Sequence, residues 1–472
     1  MRTRVVVSVA LSVFAGAAAA EDRWTEFRGP SGAGHSDSKG LPREWSETKN
    51  VVWKARIHGR GWSSPVVLGK QVWLTTATPE GHELSVLALD RDDGRVLFDV
   101  KVFRVARPED TRQYNSFASP TPVIEEGRVY VHFGSYGTAA LDTRTGKVLW
   151  ERRDLPCNHW RGPGSSPILH GDLLIVHFDG FDLQYAVALD KRTGRTVWRS
   201  DRKHDFGTDD GDQKKGYATP VVIEASGRVQ LISPAAKAVL SLDPLTGREI
   251  WRVRYPAHSA AARPLFAHGV VYVASGRGPA ELLAIRPDGQ GDVTDTHVAW
   301  KAFRGIGASP SPVLVGDYVY TVTDKAGVVT CRNARTGAEV WQKRIGGGAH
   351  TASPLFADGA LYFFGEDGSA VALEPGPESR EVGRGSLAEG GVMATPAIAG
   401  QGIFLRTESH LYRLERSEGL HHRGQGEQAR RVERRQRGLV GPDQQRDLRA
   451  GQGHGVAAAL AEAGDHAVVR LP

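Results

Sequence analysis

Between residues 45 and 415 the apolar positions alternate in short runs and keep no long helical period. VYVHF (129–133), LLIVHF (173–178), VVYVAS (270–275), YVYTVT (318–323) and LYFF (361–364) are rich in β-branched and aromatic residues, the composition of strands. Each run follows a recurring phrase: small residues, Pro, then an apolar β-prone pair. It occurs as SSPVV (Pro65), SPTPVI (Pro122), SSPIL (Pro167), YATPVV (Pro220), AARPLF (Pro264), SPSPVL (Pro312), TASPLF (Pro354) and MATPAI (Pro396). A second phrase closes most units: ALDTRTGKVLW (140–150), ALDKRTGRTVW (188–198), SLDPLTGREIW (241–251) and CRNARTGAEVW (331–341).

Self-similarity at this period predicts repeated four-stranded units arranged as a β-propeller. The Asp-x-x-Thr-Gly segment reads as a hairpin turn, with Asp bonding its nearby backbone and Gly taking a positive φ. The Trp in each outer strand reads as packing between neighbouring units. The eighth Pro phrase has no closing Trp strand after it, whereas a spare one, NVVWK (50–54), precedes the first. The expectation is therefore an all-β, eight-bladed propeller of four-stranded antiparallel blades, its ring closed by an N-terminal outer strand that removes the open sheet edges. The seventh unit is degenerate, with Glu381 and Val382 where its Trp strand should be.

The ends of the chain read differently. Arg2 and Arg4 precede the apolar run VVVSVALSVFAGAAAA, which finishes in small residues before Glu21. This is the pattern of a cleaved secretory signal peptide over 1–20, the run being short for a membrane span. Residues 21–44 form an N-terminal extension, and 45–415 the propeller. Residues 416–472 hold ten Arg, nine Gly and six Gln, with no aromatic residue and no Lys. They are either a flexible basic tail or out-of-frame translation, and no function is assigned to them. The chain's net charge of +6 arises largely at these ends. The body is nearly neutral, which gives no electrostatic reason for nucleic-acid binding. Cys157 and Cys331 fall on distant repeats and are expected not to bridge. No C-x-x-C-H, no zinc-type Cys/His spacing and no G-x-S-x-G occurs. The acid-rich loops Asp288…Asp292…Asp295 and Asp205…Asp212 depart from EF-hand spacing and read as turns.

The S-P-[VIL]…ALD..TGK.[VL]W unit resembles the pyrroloquinoline-quinone (PQQ) repeat family, over roughly 45–415. WTEFRGPSGAG (24–34), CNHWRGPGSSPI (157–168) and DGQGDVTDTHVAW (288–300) are similar to exported bacterial PQQ-like propellers of undefined activity. The family includes quinoprotein alcohol dehydrogenases and a propeller lipoprotein of outer-membrane protein assembly. The resemblance implies fold strongly and function weakly. The adjacent cysteine pair of the dehydrogenases is missing here, and no cysteine follows the leader to carry a lipid.

In a propeller, the segments between each outer strand and the next Pro phrase emerge on one face around the channel mouth. Their large or polar residues form a candidate ligand-binding ring: Arg60, Trp62, Tyr114, Asn115, His159, Trp160, Arg161, Lys215, Tyr217, His258, Arg304 and His350. Aromatic and cationic groups together suit an anionic or planar ligand. His159, in a Gly/Pro-framed loop, is the strongest single candidate. No catalytic residue and no metal ligand is assigned.

Two function classes follow. The first is a non-catalytic binding or scaffold propeller of the periplasm, monomeric, with no cofactor, an unknown protein or polymer as partner, no nucleic acid and no membrane span after cleavage. The alternative is a quinoprotein oxidoreductase of alcohol or sugar dehydrogenase type, with PQQ and calcium at the channel mouth. Against it stands the lack of a carboxylate cluster in the ring, which calcium and proton abstraction both require.

Overall fold

A computed structural model describes residues 23–111 and 114–417. The proposed leader over 1–20 and the tail from 418 onward lie outside the described residues. The propeller belongs to a compact unit that ends at Arg416.

Eight antiparallel sheets form the blades. In chain order they span 66–104, 123–152, 168–201, 221–254, 265–302, 313–344, 355–386 and 397–414, the last completed by 51–56. Two short 3-10 turns, Pro30–Gly32 and Gly211–Lys214, are the helical elements among the strands. The ring closes as the repeat grammar requires: Val51–Arg56 runs antiparallel to His410–Leu414, with Val51 opposite Leu414 and Lys54 opposite Tyr412. None of the helical segments among the described residues is long and apolar enough to cross a membrane. Cys157 and Cys331 are both buried and unbridged.

The closing phrase has a definite job. Asp142 Oδ1 accepts the backbone N–H groups of Arg144 and Thr145, both at 2.9 Å. Asp190, Asp243 and Asn333 repeat the arrangement in blades 3, 4 and 6. These are local turn bonds of the Asx kind. The turn then receives the Trp of the preceding blade. Trp150 donates from Nε1 to Lys191 O at 3.0 Å, and Trp53, Trp198 and Trp300 reach Arg91 O, Pro244 O and Ala334 O at the same distance. Each ring lies on the turn glycine of its neighbour, where no Cβ could be accommodated.

Two blades improvise. Blade 5 replaces its Thr-Gly turn with an acid-rich loop, whose Gly291 pairs in parallel with Trp251 of blade 4. Trp251 therefore bonds Gln230 of its own blade at 2.7 Å. In blade 7 the missing Trp is supplied from the N-terminal segment: Trp45 bridges to Gly385 and packs on it.

The Pro phrases line the channel and lock neighbouring blades together. The residue before each Pro is held extended by the ring that follows it. Its hydroxyl accepts a backbone N–H from the preceding blade: Ser64 N to Thr121 Oγ1 at 3.0 Å, Thr121 N to Ser166 Oγ at 2.9 Å, and Ser166 N to Thr219 Oγ1 at 3.0 Å. The belt resumes from Arg263 N to Ser311 Oγ, Ser311 N to Ser353 Oγ and Ser353 N to Thr395 Oγ1, each at 2.9 Å.

At blade 5 the belt hydroxyl is replaced by Arg263, and the reason lies in the N-terminal segment. Residues 23–36 enter the channel as a loop. Arg23–Trp24 pairs antiparallel with the innermost strand of blade 1, and His35–Ser36 runs parallel to that of blade 7. Between them Thr25 O accepts Ile124 N of blade 2 at 2.9 Å. Arg263 spans to Glu26 Oε2 at 2.9 Å and to Phe27 O at 2.5 Å. Arg28 is fully buried and bonds Ala33 O at 3.1 Å. The tight return needs left-handed backbone at Arg28, Gly29, Ser31, Gly32 and Gly34. At Gly32 even a methyl group would strike the Arg263 guanidinium, 2.1 Å away. Residues 23–36 of the extension are thus built into the propeller.

Candidate mouth cavity

Where the eight interblade connections converge they enclose a cavity of about 290 Å³. Phe27, carried up the channel by the N-terminal loop, contributes to its lining from within. The belt hydroxyls of Ser64, Ser166, Thr219, Ser353 and Thr395 also line it. Each of the last four accepts one backbone N–H, which leaves its own hydrogen to be donated.

Seven of the expected ring residues line this cavity: Trp62, Tyr114, Asn115, Arg161, Lys215, Tyr217 and His258. The other five do not. Arg60 stands behind Trp62, its guanidinium 5.1 Å from the indole. His159 turns inward and is buried; its Nε2 accepts Ser135 N at 3.2 Å, and its Nδ1 lies 3.9 Å from Cys157 Sγ. Burial lowers its pKa to about 4, so it is a neutral packing histidine. His350 is likewise buried and bonds Gly346 O at 2.8 Å. Trp160 lies outside the cavity, 44% exposed, with its ring 5.2 Å from that of Phe181. Arg304 is exposed on the connection into blade 6.

Three further charged or aromatic lining residues were not legible as such. Phe27 comes from outside the repeats. Arg277 sits in the hairpin within blade 5, a class of loop that also opens on this face. Asp212 lies in an acid-rich loop that spacing alone marks as a turn; Asp210 indeed caps the short 3-10 turn there.

Asp212 organises the cationic side. It forms an ion pair with Lys215 Nζ, and Arg161 Nη2 lies 3.4 Å from its other oxygen. Burial pushes the Asp212 carboxyl up, but Lys215 and Arg161 more than reverse this and hold it below its ordinary value. Burial drives the Lys215 pKa down, with Asp212 opposing. Burial also pushes the Tyr217 hydroxyl up to about 12. Beneath this loop, Arg202 and Asp179 form a buried two-pronged pair at 2.9 Å, and Asp179 O accepts Gly216 N at 3.0 Å. Two donors around the cavity, Trp62 Nε1 and Arg161 Nε, are shielded from solvent without a partner among the described residues.

Asp212 is the single carboxylate among the described residues that line the cavity. Among the described residues no group of three or more His, Cys, Asp or Glu side chains converges as a metal site. A calcium-bound quinone needs several oxygen ligands and a base, so this donor set does not fit one.

Over residues 47–233 and 183–423 the chain matches the family described as outer membrane protein assembly factor BamB. It is 23% identical over 349 residues to tetrathionate hydrolase of Acidithiobacillus ferrooxidans, covering 67% of this chain and 65% of that protein. It is 34% identical over 161 residues to 1-butanol dehydrogenase (quinone) of Thauera butanivorans, covering 29% and 24% respectively. The chain thus spans less than two-thirds of the length of either relative. Among solved structures, BamB from Moraxella catarrhalis superposes with a TM-score of 0.55 at 14% identity, over 77% of this chain and 99% of that one. That likeness concerns fold alone.

Proposed function

Because the chain belongs to the family described as outer membrane protein assembly factor BamB, we propose that it is an exported, non-catalytic propeller that binds a ligand or partner protein at its channel mouth. The observation that carries this reading is the mouth itself: a cavity to which every interblade connection contributes, with its one carboxylate already engaged by Lys215 and Arg161. The cluster that most resembles a hydrolytic relay argues the same way. Ser409 Oγ and Glu389 Oε2 both approach His410 Nδ1, at 2.9 and 2.6 Å. A relay needs the acid and the nucleophile on opposite ring nitrogens. Export is supported by the leader pattern of residues 1–20 and by the family's description. Exposed aromatics on the mouth face, Tyr114 at 60% and Phe303 at 65%, suit contact with a protein or polymer.

The test is capture of partners from periplasmic extract by the wild-type chain and by Thr351→Trp, which fills the cavity. A partner retained by the first and lost by the second is expected. Capture that ignores the substitution, or no partner under any condition, would overturn the reading.

A quinoprotein dehydrogenase is the second reading, favoured by the 34% identity to a protein named 1-butanol dehydrogenase (quinone). Titration with PQQ and calcium, read by absorbance and by dye reduction with alcohols, decides it. Saturable binding with turnover would replace the first reading.

A further inference from the structure

The cavity is not electrically uniform. Arg161, Lys215, His258 and Arg277 reach it from consecutive positions round the ring, between the connection into blade 3 and the hairpin of blade 5. Among the described residues, the lining from Thr351 on the connection into blade 8's neighbour round through Met393 and Trp62 to Tyr114 contains no charged side chain. One half is therefore cationic, and the other is aromatic, thioether and hydroxyl.

Deeper groups add positive charge beneath the uncharged half as well: Arg28 reaches the Pro354 carbonyl of blade 7, and Arg406 the Ser63 carbonyl on the connection into blade 1. Arg28, next to the lining residue Phe27, and Arg406, behind Ser63, are both buried and make no ion pair with a carboxylate among the described residues. Their pKa values fall to about 9, through burial and, for Arg28, through Arg263 as well; both remain charged at neutral pH. Two guanidiniums held in a low-dielectric wall without counter-charge give the channel a positive potential. Among the described residues that line the cavity, Asp212 is the only opposing charge. The shielded donors Trp62 Nε1 and Arg161 Nε, one in each half, have no acceptor among the described residues.

Taking the mouth as a ligand site, we propose that it holds a small organic anion. The charged group, a carboxylate, sulfonate or phosphonate, sits on the arc of Arg161, Lys215 and Arg277. An uncharged planar or apolar body lies over Phe27 towards Trp62 and Met393. Asp212 occupies the arc as an internal counter-ion that orients Lys215 and Arg161, and it opposes the ligand's charge.

Calorimetric titration of the full chain at low salt with phenylphosphonate, methylphosphonate and benzyl alcohol tests both halves together and apart. Phenylphosphonate is expected to bind at least about tenfold more tightly than either fragment, since one charge-assisted bond and one aromatic contact each contribute on that scale. Arg277→Ala, at an exposed position, and Trp62→Ala should each weaken it about tenfold, whereas Asp212→Asn should strengthen it. Methylphosphonate or benzyl alcohol binding as tightly as the whole probe would overturn the two-sided site, as would weakening by Asp212→Asn. If no probe binds while Thr351→Trp still abolishes partner capture, the ligand class is wrong and the binding reading stands. If the probes bind as described and no partner is captured, the ligand class stands and the partner reading falls.

Discussion

Gly194 is where one residue couples two blades. Its φ is 73°, a region that costs an L-residue about 1–2 kcal/mol. A Cβ there would also lie 2.6 Å from Trp150 Cε3 of the preceding blade. Gly171 separates the two effects, since its φ is 56° with open space around any Cβ. Gly171→Ala should therefore lose about 1 kcal/mol, and Gly194→Ala about 2–4 kcal/mol, because overpacking adds to the backbone term. Urea denaturation of the two variants checks this. Equal losses would mean that Trp150 moves aside freely and that the glycine serves only its turn. The turn was legible from Asp-x-x-Thr-Gly alone. The identity of the glycine beneath each Trp was not, because that contact joins residues some 44 positions apart in chains of equal-looking repeats.

At the scale of the element, the Pro phrase does more than start a strand. Ser166 Oγ is the acceptor for Thr121 N, which is buried in the wall between blades 2 and 3. Ser166→Ala leaves that N–H unsatisfied, at a cost of about 1–3 kcal/mol. Ser166→Thr should restore stability, because Thr already fills the same position in blades 2, 4 and 8. Thermal melts of the three proteins decide, and a Thr variant no better than Ala would show that the belt bond is not what the hydroxyl provides. The strands, their number and the closing strand were readable because each is written in a repeated local grammar. The mouth was readable only in part. Lys215 and His159 sit in equally plausible loops, yet one lines the cavity and the other folds inward against Phe178. A loop's sequence fixes which face it lies on and leaves the direction of each side chain to packing. Arg263 was the available clue to the channel filling: a cation where seven other blades place Ser or Thr requires something inside the ring to receive it.

For the molecule as a whole, the packed seams of the closed ring make stability sensitive to acid. His132 and His177 lie on second strands facing neighbouring blades, and His159 lies on the connection beside them; all three are buried. Burial lowers their pKa values to about 3, 3 and 4 from an ordinary 6.5, with Arg202 adding to the effect at His177 and His159 at His132. The folded chain keeps them neutral, while the unfolded chain protonates them as soon as the pH falls below 6.5. Their folded pKa values being depressed, their contribution is complete above that pH and is lost progressively down to about 3–4. At pH 5 each would cost up to about 2 kcal/mol, so three together form a large share of a marginal total. The urea midpoint should thus fall steeply between pH 6.5 and 5, above the range in which paired carboxylates titrate. His177→Gln can keep a bond to Ser233 or Ala218, the two partners the imidazole now holds at 2.9 and 3.1 Å. It should flatten that slope without abolishing it. A midpoint flat to pH 5 in the wild-type chain would mean that the seams open to water before the histidines charge, and the packed wall between blades 2, 3 and 4 would then be looser than its hydrogen bonds imply.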